Sequence, residues 1–124
     1  MAGRMKLFFD GGLRPHGMEL AVVVGAHSIV QQGLGPGTSM DAEWLALIHA
    51  VRTAHRMKLT GAVLLGDAAA VIAQANGTQR IPASCVAHHH LFQTMEKPDG
   101  RLRIRYIKRT QNLAGIALAR LHER

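Results

Sequence analysis

Between residues 34 and 41 the hydrophobic period of this chain changes, and that change decides what it can fold into. Before it lie three short strand-like runs, at residues 5–10, 18–25 and 27–34, joined by links short enough for antiparallel neighbours. After it, Trp44, Leu47, Ile48, Val51 and Ala54 recur at helical spacing, so residues 41–57 read as an amphipathic helix capped by Thr38 or Ser39. A continuous apolar run at 62–65 then stops at Gly66-Asp67, as expected of a strand covered on both faces. Later strands need helical crossovers and should be parallel. The result is an α/β chain with a mixed sheet and helices on both faces.

The remaining elements follow from local signals. The first strand is expected to end at Gly11-Gly12, with residues 13–17 turning around Pro15. A short helix follows Asp67 over 68–75, and Pro82 opens another over 83–95. Residues 102–108 alternate apolar and basic side chains, as a half-exposed strand does. A last helix starts at Thr110 or Asn112 and turns Leu113, Ile116, Ala117 and Leu121 inward. The element order is β-β-β-α-β-α-α-β-α. With 124 residues, 48% of them hydrophobic, and neither repeat nor linker, residues 1–124 are expected to form one domain.

A formal net charge of +7 points to a polyanionic partner, with a merely soluble basic protein as the plain alternative. The lone cysteine, Cys85, excludes an internal disulfide and a Cys-rich zinc cluster. The apolar run before Asp10 is too short for a signal peptide or a membrane span, so a cytoplasmic protein without a membrane partner is expected. His88-His89-His90 cannot chelate one ion together from consecutive helix positions and reads as an exposed polar run.

Three acids stand out. Asp10 ends the first strand, Asp67 ends the fourth, and Glu43 lies in the first turn of the long helix, at the edge of its buried stripe. Ligands gather beyond the carboxyl ends of parallel strands. If the three acids meet there, their mutual repulsion requires a cation, and all-oxygen ligation suits Mg²⁺ or Mn²⁺. Each acid alone has an ordinary role: a turn former at Asp10, a helix-dipole partner at Glu43, a helix cap at Asp67.

The ordered set Asp10-Gly11-Gly12, Ala42-Glu43-Trp44-x-Ala46-Leu47, Gly66-Asp67 with Val71, Ile72, Gln74, Asn76 and Gly77, and finally Asn112, Ala114, Ala117 and Ala119 resembles ribonuclease H. The nearest variety is the short reverse-transcriptase-like ribonuclease H domain, and the resemblance runs over residues 5–121. It implies a five-stranded mixed sheet, three antiparallel strands and then two parallel ones, with helices on both faces. It also implies an endonuclease that uses Mg²⁺ (or Mn²⁺) to hydrolyse the RNA strand of RNA–DNA hybrids. Asp10, Glu43 and Asp67 would be its catalytic metal ligands, in a scheme where ions roughly 3.5–4 Å apart activate a water and stabilise the leaving 3′ oxygen.

One departure is important. The family usually closes with Asn-x-x-Ala-Asp, whose Asp is a fourth ligand. Here the run is Asn112-Leu113-Ala114-Gly115, and Gly115 is read as standing where that Asp belongs. Either a water or an acid such as Glu96, Asp99 or Glu123 substitutes, or the chain is a catalytically impaired nucleic-acid-binding domain of the same fold. The candidate nucleic-acid contacts are Gly11, Arg14, Thr38, Ser39, Lys108, Arg109 and Asn112. Plain surface charge is the competing reading for Arg14 and Arg109, and helix capping for Thr38 and Ser39. Gln74 and Asn76 either touch a hybrid's minor groove or close a helix. An uncovered edge strand would permit a homodimer.

Overall fold

The computed structural model describes residues 5–123. Strands β1 (Lys6–Arg14), β2 (Gly17–Val24) and β3 (His27–Gln31) precede helix α1 (Ser39–Arg56). Then come β4 (Val63–Gly66), α2 (Ala69–Ala75), α3 (Val86–Thr94), β5 (Arg103–Tyr106) and α4 (Leu113–Leu121), with short 3-10 turns leading into α3 and α4. The strands form a five-stranded sheet in the order β3-β2-β1-β4-β5. β1 pairs antiparallel with β2, and β2 with β3, whereas β1–β4 and β4–β5 are parallel. This is the mixed sheet expected from the change of period.

Two expectations about the elements themselves fail. β1 does not stop at the glycines. Gly11 and Gly12 stay in the ladder opposite Leu20 and Glu19, and Arg14 pairs with Gly17 across a tight turn at Pro15-His16. Glycine is needed at position 11 for packing rather than turning, since a Cβ there would collide with the Ala42 carbonyl of α1. The second failure is the phase of α4. Ala114 and Leu118 face inward, while Leu113, Ile116 and Leu121 are exposed. Asn112 sets that phase: its side chain caps the helix by accepting from the Ala114 N–H at 3.1 Å and donates to the Phe9 carbonyl at 3.0 Å.

The two faces of the sheet carry separate cores. Leu7, Phe9, Leu20, Val22, Val24 and Leu64 pack with α1, α2 and α3 around the fully buried Trp44. On the other face Ala21 and Val23 pack with Ala114 and Leu118 of α4, flanked by Phe8, Val30 and Ala117. A buried indole needs a partner for its N–H. Trp44 finds it in Gln74 Oε1 at 2.9 Å, and the Gln74 amide in turn lies 3.7 Å from Met40 Sδ. Gln74 is therefore a core residue, shut away from any groove of a substrate. Truncating Trp44 would remove about 3–5 kcal/mol, the usual cost of deleting a large buried aromatic.

The histidine run also differs from expectation. His88 stacks on Trp44, with centroids 6.3 Å apart and planes 13° apart, and bonds Asp41 at 2.9 Å. His89 meets the same indole edge-on. These two rings are half-buried and join α3 to the start of α1, so only His90 is an exposed member of the run. Among the described residues, no helix is long and apolar enough to cross a membrane.

Candidate metal centre

Three elements each deliver one acid to the same end of the sheet. Parallel pairing of β1 with β4 ends at Phe8–Leu65. Two residues further on, Asp10 and Asp67 stand beyond that last pair, and α1 lies against β1 through the gap left by Gly11. The Gly11 N–H donates to Glu43 Oε1 at 3.0 Å and fixes the glutamate against the strand. One carboxylate oxygen from each of Asp10, Glu43 and Asp67 lies within 4.8 Å of the others. The ordinary roles do not describe them. Asp10 is inside a strand, Glu43 sits in the second turn of a helix capped by Thr38 and Asp41, and α2 has no side-chain cap.

The electrostatics are those of an unneutralised cluster. Burial, and then the nearby Asp67, push Asp10 up to about 7. Burial, and then Asp10, push Glu43 up to about 8. At neutral pH the pair therefore retains protons that isolated carboxyls would have lost. Glu43 Oε2 is buried without a hydrogen-bond partner. An orphaned carboxylate oxygen beside two further acids fits a bound cation, and the all-oxygen donor set fits a hard one.

The acids line an open cleft of about 760 Å³. Arg109 reaches over it, with Nε 3.8 Å from Asp67 Oδ2 and its side chain 93% exposed. Ser39 and Arg14 also line the cleft, whereas Thr38 holds the α1 cap, bonding Asp41 in both directions. Lys108 is exposed just before Arg109. Asn112 does not belong with these contacts. It is fully buried and its amide is committed to the Phe9 carbonyl, so it positions β1 beneath Asp10.

Gly115 lies beside the cluster, where an added Cβ would stand 3.3 Å from Asp10 Oδ2. Counted from Asn112, however, the Asn-x-x-Ala-Asp spacing falls on Ile116. Ile116 also lines the cleft and is 37% exposed. Neither residue can ligate. A fourth carboxylate is thus missing from this helix whichever position is taken.

Sequence reasoning missed Glu19. It is 2% exposed, and its carboxylate accepts from Arg14 Nε at 3.3 Å and Gln32 Nε2 at 3.4 Å, with His122 Nε2 3.0 Å from both oxygens. Burial works against its charge, but these partners outweigh that and hold its pKa below the ordinary glutamate value. The signal was present: one acid inside a valine strand needs partners of opposite sign. The bond also means that Arg14 is already engaged by a carboxylate.

The Reverse transcriptase-like family matches the chain over residues 17–122. That span begins after Asp10, so the place of Asp10 in the cluster rests on geometry. No curated protein sequence matches the chain. Among solved structures, the N-terminal RNase H domain of a Mycobacterium tuberculosis protein, fused to maltose-binding protein, superposes with a TM-score of 0.79 at 21% identity, over 98% of this chain and 100% of that one. RNase H1 of the halophilic archaeon Halobacterium salinarum gives 0.73 at 24% identity over 94% of each chain. LC11-RNase H1 in complex with an RNA/DNA hybrid gives 0.71 at 21% over 89% of each. At these identities the structural likeness establishes the fold.

Proposed function

Because the chain belongs to the Reverse transcriptase-like family of ribonuclease H domains, we propose that it is a metal-dependent endonuclease acting on the RNA strand of RNA–DNA hybrids. The observation that carries this reading is the convergence of Asp10, Glu43 and Asp67, from three separate elements, with the buried Glu43 Oε2 left unpaired. Those three residues would hold Mg²⁺ or Mn²⁺. When bound, such ions supply a nucleophilic water at neutral pH and neutralise charge on the leaving 3′ oxygen, in a two-metal arrangement.

The chain's own residues do the rest. Gly11 fixes Glu43 through its N–H, so the ligand is held before any ion arrives. Asn112 fixes the strand that carries Asp10. Arg109, at the rim beside Asp67, would hold a phosphate against the acids, with Ser39 lining the same cleft and Lys108 exposed next to Arg109 in the chain. The exposed positive charge would supply the sequence-independent share of affinity.

A second reading has one observation behind it. No side chain from position 115 or 116 can complete the acidic set, which favours a domain that binds hybrid without cutting it. Labelled RNA–DNA hybrid incubated with the protein and Mn²⁺ decides between the two. The nuclease reading expects RNA cleavage that Asp10→Asn abolishes. Binding with no cleavage above that control would leave the binding-only domain.

A further inference from the structure

The two edges of the sheet are built differently. β5 carries Arg103 and Arg105, and charge of this kind keeps an edge strand from pairing with another chain. β3, at the other edge, carries none. No Lys, Arg, Asp or Glu occurs from Leu20 to Met40, in a chain whose net charge is +7. β3 also lacks proline, and its register with β2 runs unbroken from His27 to Gln31, without a bulge. Its one protection is its length of five residues. Among the described residues, no strand pairs with its outer side.

The backbone shows which groups that side offers. The Met18 N–H donates to the Gly35 carbonyl at 2.9 Å, and the Met18 carbonyl accepts from the Leu34 N–H at 3.0 Å. Backbone groups alternate sides along an antiparallel strand. Leu20, Val22 and Val24 therefore also turn theirs toward β3, where they engage Gln31, Ile29 and His27. Ser28 and Val30 are left with N–H and C=O groups that point outward. Both faces of the sheet are unfinished at the same place. Ile29 packs against the core beneath α1 and Val30 against the core beneath α4, yet each is only half-buried.

We propose that β3 docks a second copy of this chain, strand against strand, antiparallel about a two-fold axis at Ile29. In that register Ser28 faces Val30 of the partner subunit and Val30 faces Ser28 of the partner subunit, so the outward groups of both residues are all satisfied. Ile29 then meets Ile29 of the partner subunit, and His27 meets Gln31 of the partner subunit, in the pairs whose side chains approach most closely. A register centred on Ser28 or Val30 leaves some of these groups unbonded. The edge is complementary to itself by symmetry, and its lack of charge lets two copies of a strongly basic chain approach. A partner chosen by charge finds nothing here to hold. The acids lie beyond β1 and β4, so the pairing leaves their cleft open. The inference is independent of the nuclease reading.

Analytical ultracentrifugation of the full chain tests it. The wild type should show a monomer–dimer equilibrium with a Kd on the order of 10–100 µM, as suits a small interface. His27→Lys/Gln31→Lys puts lysines opposite one another at two exposed positions and should weaken the dimer about tenfold. His27→Lys/Gln31→Glu puts lysine opposite glutamate and should bring the Kd back to the wild-type value or below. His90→Lys/Gln93→Lys adds the same charge to exposed positions of α3 and should shift the Kd by no more than about twofold. Amide exchange reads the register: Ser28 and Val30 should slow as protein concentration rises, whereas Ile29, already bonded to Val22, should not. A wild type that stays monomeric at about 1 mM would overturn the proposal and leave the edge to a different chain. So would a dimer indifferent to positions 27 and 31, equal weakening by both lysine pairs, or a Lys/Glu variant as weak as the Lys/Lys one.

Discussion

The Gly11 N–H donates to Glu43 Oε1 at 3.0 Å, at the point where α1 comes close enough to β1 that the strand has no room for a Cβ. One backbone position thus sets both the distance between helix and strand and the aim of a candidate ligand. Gly11→Ala would force α1 outward and release Glu43. We expect a loss of about 2–3 kcal/mol in urea unfolding, with Mn²⁺ affinity falling in the fraction that folds. Unchanged affinity would mean that Glu43 is aimed by something else.

The second prediction concerns pH. Asp10 and Glu43 have folded pKa values above their unfolded ones, so the folded state binds more protons between about pH 4 and 8 and its stability falls as pH rises through that window. His49 contributes the opposite slope. Its pKa is lowered by burial and then by Arg52 and Arg56, so its share of stability is lost as pH falls. Asp10→Asn isolates the site. Without divalent metal, this variant should melt at a higher temperature than wild type near pH 8, and the gap should close near pH 4. A gap that is flat across pH would exclude repulsion as its cause.

Excess Mn²⁺ should reverse that order. Metal binding stabilises only the folded state and competes with the protons on Asp10 and Glu43. The rise in melting temperature on adding Mn²⁺ should therefore be larger near pH 8 than near pH 5, and absent in Asp10→Asn. An equal rise in the variant would place the ion elsewhere.

The missing fourth acid gives a prediction with two arms. A side chain at Gly115 starts 3.3 Å from Asp10 Oδ2 and is crowded against it, whereas Ile116 lines the cleft from a partly exposed position. Ile116→Asp should raise the rate of metal-dependent cleavage, by about tenfold as an order of magnitude. Gly115→Asp should raise it less and destabilise the metal-free protein at alkaline pH. Kinetics and thermal melts of the two variants side by side check the ordering.

Asn112→Ala should cost about 2–3 kcal/mol, because it removes a helix cap and strands the buried Phe9 carbonyl. Asn112→Asp keeps the capping oxygen and loses the donor, so it should recover only part of that. Full recovery in urea unfolding would mean that the Phe9 bond contributes nothing.

The fold was readable because period is a local property. The helical spacing from Trp44 to Ala54 and the apolar run at Val63–Leu65 each report their own burial. Asp67 was readable because it closes such an element, and Asp10 and Glu43 because each lies close to an element's apparent boundary in the sequence. What failed depended on partners far along the chain. Gly11-Gly12 reads as a turn until α1 is laid against it. The phase of α4 is set by a bond from Asn112 to Phe9, so Leu113 and Ile116 were turned the wrong way. Glu19 was overlooked because its partners Gln32 and His122 come from other elements.

Two of the ties described above, Asn112 to Phe9 and His122 to Glu19, each span 103 positions of sequence. During synthesis the first hairpin therefore leaves the ribosome long before either partner exists. Until α4 emerges, a growing chain carries an unbonded carbonyl under Asp10 and a glutamate with only part of its shell. The three acids are all translated before α2, yet the strand that carries Asp10 gains its last tie only when Asn112 and α4 follow.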